Sequence, residues 1–414
     1  MARMLRFCVL SLVISIGGLA AEAIAAAPVT LSFAFVAGEE ELPAWEGIVE
    51  AWNAHSETVK VEALRLSGGW DQYREQMMVQ VAAGTPPDIG RMAAEMVPAM
   101  AAAGAIIDLL PYAERDPLFR PDAYFAPAIS SYYTGDHLWG MPISILPVAY
   151  YANTDLFASR GVALPERAWS STWSWDSWQE TLKKLTFGQE PNRTYGAHVE
   201  PWIMRSIQFF WQNGVNIFNA DRTRSQFDDP RAIEVLRLFA RLWHQDRTAW
   251  TDRAGMGWGD LYHLGRLGMF ADGPWMIPWV RNAPVESTVL PMPIGPAGPA
   301  TINFIDAYVV YRGSQHPREA WEVVRFFTER AAVEVQLRHG STGIPSRRDL
   351  AFERLEQRNL FPGLSLEEQQ VWLEAVTFSR SMPFTTNWAE LMNEAIMPAM
   401  TRLFRDEIPP EEAA

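Results

Sequence analysis

Between Val29 and Met92 the chain alternates strand and helix signals so regularly that a parallel-stranded α/β fold is the architecture that accommodates them. Val29, Leu31, Phe33 and Phe35 fall on one face of a strand over Val29–Val36. After the loop Gly38 to Glu41, Pro43 sits where a first helical residue tolerates proline, and Trp45, Ile48, Val49 and Trp52 follow at helical spacing. A second strand over Val59–Leu66 leads through Ser67-Gly68-Gly69 into a helix carrying Trp70, Tyr73, Met77 and Val81 on one side. Gly84 ends that helix, and Asp88 to Met92 reads as a third strand. Parallel pairing with right-handed crossovers follows, and such sheets bind ligands beyond the carboxyl ends of their strands. Gly38 to Glu41, Gly68 to Trp70 and Arg91 to Glu95 then share one rim.

A second, less regular α/β region follows. Leu138 to Ala152 is apolar and aromatic, broken by Pro142 and Pro147, which suits a segment passing between two bodies. Asp229 and Pro230 open a helix with Ile233, Leu236, Phe239, Ala240 and Trp243 inward. Val289 to Pro299 is too rich in Pro and Gly for a helix, Phe304 to Tyr311 returns as a strand, and Pro317 to Glu329 is helical. The acidic tail from Pro409 to Ala414 is expected to fray. The chain has no internal repeat.

The first residues read as an export signal. Arg3 and Arg6 precede the apolar run Phe7 to Leu19, and Ala23-Ile24-Ala25 offers a small-x-small cleavage site, with Ala27 as the other possibility. The run is shorter than the ~20 residues that span a bilayer. Cys8, the one cysteine, lies within this leader and lacks the small residues that precede a lipid-modified cysteine. A mature chain of about 390 residues, two domains on size grounds, therefore has no disulfide or thiol chemistry and is expected in the periplasm. The formal charge is −14; the leader's Arg3, Arg6 and Glu22 contribute +1, so the mature chain carries −15. Nucleic acid and anionic membrane are thereby disfavoured as partners. Eighteen tryptophans exceed what two ordinary cores need, and indole faces suit flat apolar surfaces of a ligand.

Catalytic and metal signatures are missing: there is no G-x-S-x-G, H-E-x-x-H, phosphate-binding loop or EF-hand pattern. The seven histidines show no metal-ligand spacing, and Gly255-x-Gly257-x-Gly259 lacks the strand that a dinucleotide loop follows. No catalytic residue, metal ligand or cofactor is expected. A secreted glycosidase, with two carboxylates across a cleft, is the rival reading. A structural surface protein would show repeats or a wall anchor, and neither is present.

Five segments, in order, carry a resemblance. They are Ala82-Ala83-Gly84-Thr85-Pro86-Pro87-Asp88-Ile89, Gly135 to Pro142, Tyr150 to Phe157, Gly268-Met269-Phe270-Ala271-Asp272-Gly273-Pro274-Trp275, and Gly340 to Pro345 with Arg347 and Asp349. Together they resemble the extracellular solute-binding proteins of ABC importers, the family of the maltose- and trehalose-binding proteins. The resemblance implies two α/β lobes joined by crossing segments, with a cleft between them that closes on a ligand. It implies an N-terminal lobe of 28–143 plus 312–343, a C-terminal lobe of 144–311 plus 344–408, and a monomer that delivers its ligand to permease subunits. Ala152 replaces the usual second position of a Tyr-Asn pair, and Ser144 stands where some disaccharide binders place a carboxylate.

Sugar recognition needs aromatic faces for the C–H surface of the ring and planar polar groups for paired hydroxyls. Trp275, after the Gly273-Pro274 turn, is the first candidate for the aromatic, followed by Trp70 and Trp202, while Trp211 beside Phe209 and Phe210 reads as core. Glu39, Glu40, Arg91, Glu95, Ser144, Asp306, Tyr308, Thr342 and Arg347 are the polar candidates, and Asp88 reads as a brace. A mono-, di- or oligosaccharide is the expected ligand. A glycerol-phosphate type of ligand is the alternative, for which Arg91 and Arg347 would supply charge.

Overall fold

The structure, a computed structural model, describes residues 27–169, 172–251 and 256–414. The expected leader, and Gly255 of the glycine run, lie outside the described residues.

The strands are β1 (Val29–Val36), β2 (Val59–Leu66), β3 (Ile89–Ala93), β4 (Tyr133–Thr134), β5 (His137–Leu138), β6 (Met141–Pro147), β7 (Ala149–Asn153), β8 (Met269–Asp272), β9 (Ser287–Leu290), β10 (Thr301–Val310), β11 (Ile344–Pro345) and β12 (Ser379–Arg380). The main sheet runs β11-β6-β10-β3-β1-β2, with β12 beside the start of β10. β1 lies parallel to β2 from Val29↔Val59 to Val36↔Leu66, and parallel to β3 at Phe33↔Ile89. The opening α/β alternation thus forms the parallel unit that its periodicity dictates. β10 then enters antiparallel between β3 and β6. A second sheet, β8-β7-β9, is antiparallel throughout. Val148 alone separates β6 from β7, so the chain passes from one sheet to the other within a single residue. Its amide donates to Ile302 O at 3.0 Å and its carbonyl accepts from Thr301 Oγ1 at 2.7 Å, which ties the crossing to β10.

Aromatic side chains pack against each sheet, and the molecule has two α/β lobes. In the first, the helix Leu42–His55 buries Trp45, Ile48, Val49 and Trp52, and Trp45 stacks on Phe35 at 5.6 Å. Burying each such ring stabilises the fold by about 1.5–3 kcal/mol. In the second, Trp178, Phe209 and Phe239 pack where the helices Trp175–Leu185, Ile203–Gln212 and Pro230–Ala240 meet. Asp229 caps the last of these through Arg231 N at 2.8 Å. Asp88 braces β1 by accepting from Ser32 N and Oγ, both at 2.9 Å, and from Ser314 Oγ at 2.6 Å. Among the tryptophans, eleven, Trp211 included, are buried core and seven are half-buried.

One expectation is overturned at the C-terminus. The tail does not fray: Pro410–Ala413 forms a helical turn pinned by Arg237–Glu411 at 2.7 Å and Arg402–Glu412 at 3.0 Å. Pro410 occupies its first turn, and Glu411 and Glu412 sit at the positive end of the turn's dipole.

Candidate functional site

β10 organises the site because side chains two residues apart on a strand share a face. Phe304 and Asp306 are half-buried on one face, while Ile305 and Ala307 between and beyond them are core on the other. In the ladder Asp306 stands opposite Ser144 of β6, and Phe304 opposite Leu146, so these four residues make a floor across two strands. Gly343 closes the Ser144 end: a Cβ added there would lie 2.4 Å from Ser144 Oγ, so only glycine permits the approach. Thr342 is half-buried beside it.

On the first-lobe side, Arg91 of β3 reaches diagonally to Asp306, with Nε and Nη2 donating to Oδ2 at 3.0 and 2.6 Å. Its Nη1 donates to Val36 O at 2.7 Å, and Glu41 lies 4.0 Å away. The guanidinium is held between Trp45 and Trp70, 4.5 and 4.7 Å from their ring centres. Trp70 is seated in turn edge-on against Tyr73 at 5.7 Å. This cation is therefore fixed by a carboxylate, a carbonyl and two indoles.

The second-lobe side repeats the arrangement. Arg205, in the first turn of Ile203–Gln212, pairs with Asp272 at the end of β8. Its guanidinium lies 5.3, 5.5 and 5.8 Å from the rings of Trp275, Trp202 and Phe304. Trp275 meets Phe304 edge-on at 5.3 Å, and Trp202 stacks over Phe304 at 6.2 Å with 23° between planes. Trp275 folds back over Gly273, where an added Cβ would fall 2.0 Å from the indole. From below, the Tyr151 hydroxyl donates to Gly273 O at 2.9 Å and fixes the turn.

Burial sets the electrostatics. It pushes the Asp272 carboxyl up, against the lowering effect of Arg205 and of the Gly273 amide. Burial also raises the carboxyls of Glu95 and Glu200, opposed by Arg74 and Arg205 respectively. His198, stacked on Trp258 at 5.1 Å, is pushed down to about 3 by burial and by Arg205.

The structure brings Trp275, Gly273, Trp202, Trp70, Arg91, Asp306 and Ser144 to this face, with Glu95 just past β3. Other candidates stand elsewhere. Glu39 pairs with Arg65 at 2.8 Å on the exposed surface, and Glu40 is exposed, whereas Glu41 approaches Arg91. Tyr308 shares its face of β10 with Asp306 but is wholly buried beneath Trp45, its hydroxyl accepting from Gln336 Nε2 at 3.1 Å, so no part of it is open to a solute. Arg347 is turned onto Asp349 through bonds of 3.1 and 2.8 Å. Sequence reasoning missed Arg205, Asp272, Glu200 and Phe304, and on the rim it singled out Glu39 and Glu40 rather than Glu41. Asp272 lies within Gly268 to Trp275, one of the segments that carry the resemblance, and the three-residue spacing of Trp202 and Arg205 at a helix start was the available signal for that pair.

Comparison with known proteins bears on the fold and the family. Among solved structures, an ABC substrate-binding protein from Listeria monocytogenes in complex with cycloalternan superposes with a TM-score of 0.80 at 20% identity, covering 93% of this chain and 96% of that one. A cyclic alpha-maltosyl-1,6-maltose binding protein from Arthrobacter globiformis gives 0.77 at 19% identity, with coverages of 93% and 96%. The GacH receptor of Streptomyces glaucescens, solved unliganded and with acarbose, gives 0.75 at 18%, with 93% and 95%. These likenesses establish the fold. An uncharacterized lipoprotein from Streptomyces antibioticus is 28% identical over 179 residues, 42% of this chain, and the match spans only 38% of that relative's length. The family model described as "Bacterial extracellular solute-binding protein" matches residues 37–334, a span that takes in both arginine walls and all of β10, and the chain belongs to that family.

Proposed function

We propose that this protein captures a carbohydrate, from a mono- to an oligosaccharide, between its lobes and delivers it unchanged to the permease subunits of an ABC importer. The observation that carries the reading is the alternation along β10 of an aromatic set, Phe304 with Trp275 and Trp202, and a fixed carboxylate–guanidinium pair, Asp306 with Arg91. Stacking faces beside rigid hydroxyl-binding groups are what a sugar ring requires. The sugar-bound relatives, with cycloalternan in one case and acarbose in another, support the same class of ligand. A glycerol-phosphate ligand is less well matched, since Arg91, Arg205 and Arg347 each already face a carboxylate.

In this reading the lobes divide as 28–143 with 312–343 and 144–311 with 344–408, β6 and β10 carry the chain between them, and the monomer works in the periplasm after cleavage of its leader. The lipoprotein relative raises a lipid tether as the alternative mode of retention, to be decided by mass spectrometry of the mature N-terminus.

The test is a thermal-shift screen followed by calorimetry with maltose, maltotetraose, cycloalternan, acarbose and glycerol 3-phosphate. A sugar at 100 times its dissociation constant should add about 2.7 kcal/mol of apparent stability, and chromatography after prolonged incubation should return that sugar intact. Binding of glycerol 3-phosphate alone would overturn the carbohydrate reading. Protein-dependent hydrolysis of the sugar would overturn the carrier reading in favour of a glycosidase.

A further inference from the structure

Glu95 lies two residues beyond the ladder pair Ala93↔Asp306, so it emerges beside the Asp306 end of the floor. There it lines, together with Arg74, a cavity of about 70 Å³ between the first-lobe residues Met78, Met96 and Met100 and the C-terminal residues Thr385 and Trp388. That volume is several times the ~10–15 Å³ that one water needs. Among the described residues Glu95 makes no hydrogen bond or ion pair, and the neighbouring cation, Arg74, is engaged with Asp71 at 3.0 Å.

We propose that this cavity is a side pocket of the cleft that seats a protonated amine carried by the bound sugar. The inference rests on the carbohydrate reading and narrows it to amino-bearing sugars. A half-buried carboxylate with no partner is complemented best by a group that brings both a positive charge and donors. An ammonium brings both, while a hydroxyl brings a donor only, and charge-assisted bonds are about twice as strong as neutral ones. Asp71 offsets the charge of Arg74 in the lining, and Trp388 with Met78, Met96 and Met100 suits the same guest, because indole and thioether groups are polarisable and an indole face attracts cations. The charge around the floor agrees. Arg91 and Arg205 are matched by Asp306 and Asp272, and the rim cations Arg65 and Arg74 face Glu39 and Asp71. Glu41, Glu95 and Glu200 remain as excess negative charge, which favours a cationic solute and repels phosphorylated or carboxylated ones. Because the pocket draws its walls from both expected lobes, an amine seated there would also hold the lobes together.

Calorimetry at pH 7 with glucose, glucosamine, N-acetylglucosamine and glucuronate, and with the corresponding disaccharides, tests the proposal. The amino form should bind at least tenfold more tightly than the neutral one at the same chain length, N-acetylation should remove the gain, and glucuronate should bind least. Glu95→Gln should collapse the ratio between amino and neutral forms. So should Ala99→Lys, which introduces an ammonium into the same cavity from a half-buried lining position and guards against a folding defect specific to the first variant. Equal affinities for the amino and neutral sugars, or a preference that survives both substitutions, would overturn the side pocket while leaving carbohydrate capture intact. No binding of any sugar here or in the maltose series would overturn the carbohydrate reading and this inference with it.

Discussion

Phe304 and Asp306 stand one step apart on the same face of β10, and each anchors a different arginine: Phe304 lies 5.8 Å from the guanidinium of Arg205, and Asp306 accepts from Arg91 at 2.6 and 3.0 Å. A single strand thereby connects the aromatic wall of one lobe to the charged wall of the other. Strand residues i and i+2 are held about 6.6–6.8 Å apart by covalent geometry, so the spacing between the two walls is set at this point by the chain itself.

The Arg91–Asp306 pair should matter to folding as well as binding. Their side chains retain only 12% and 14% of their exposure, so removing one partner leaves a largely buried charge. Asp306→Ala is expected to lower unfolding stability by about 2–4 kcal/mol, whereas the double variant Arg91→Met/Asp306→Ala should recover part of that loss. Urea melts of the four proteins in the cycle read the coupling directly, and additive losses would show that the two side chains do not act as a pair.

Much of the fold was legible because its signals are local. Phe33 and Phe35 on β1, and Trp45, Ile48, Val49 and Trp52 on the following helix, repeat at periods of two and of three to four, and the structure buries each of them. Asp306 was legible as a lone carboxylate in an apolar strand. Arg205 was not, because its partner Asp272 is 67 residues away in sequence and reaches it only through the pairing of β8 with β7. Tyr308 misled for a related reason: it follows Asp306 on the same face, but Trp45, from a helix some 260 residues earlier, lies across it. The C-terminal turn carried local helix signals, yet its pinning partner Arg237 lies 174 residues from Glu411.

The passage from β6 to β7 through Val148 is the pivot expected if the lobes move relative to one another. Closure about it should bring the Arg91 and Arg205 walls together around a ligand. Small-angle scattering with and without saturating sugar should record a smaller radius of gyration in the bound state. An unchanged curve at saturation would mean that binding does not move the lobes.

His198 makes stability depend on pH in a stated direction. Burial and Arg205 hold its pKa near 3 in the folded protein, against about 6.5 in an unfolded chain. Below pH 6.5 the unfolded state takes up a proton that the folded state refuses, so stability falls as pH drops from 6.5 towards 3, by about 1.4 kcal/mol per unit. His198→Gln removes this group. Between pH 7 and 4.5 the native protein should therefore lose about 2–3 kcal/mol more than the variant in urea melts; parallel losses would show that the imidazole is not the group responsible.

Gly273 and Trp275 provide the sharpest separation of binding from folding. Trp275 is half-buried, so Trp275→Ala should cost less stability than the ~3–5 kcal/mol of a core tryptophan. Loss of its stacking face should weaken sugar binding by about 1–3 kcal/mol, roughly ten- to a hundredfold. Gly273→Ala reaches the same result without deleting the ring. At φ −86 the backbone accepts alanine, but the new Cβ would stand 2.0 Å from the indole and force it out of its seat over the turn. Both variants then act on one thing, the position of the indole. Gly273→Ala should therefore weaken binding about as much as Trp275→Ala, and combining them should add almost nothing, because the ring that the methyl displaces is already gone. Calorimetric titration of the two single variants and the double, with melts of each unliganded protein, measures both quantities. Additive losses of affinity would mean that Gly273 acts on the ligand independently of Trp275, and unchanged affinity with a badly destabilised fold would make Trp275 a core residue.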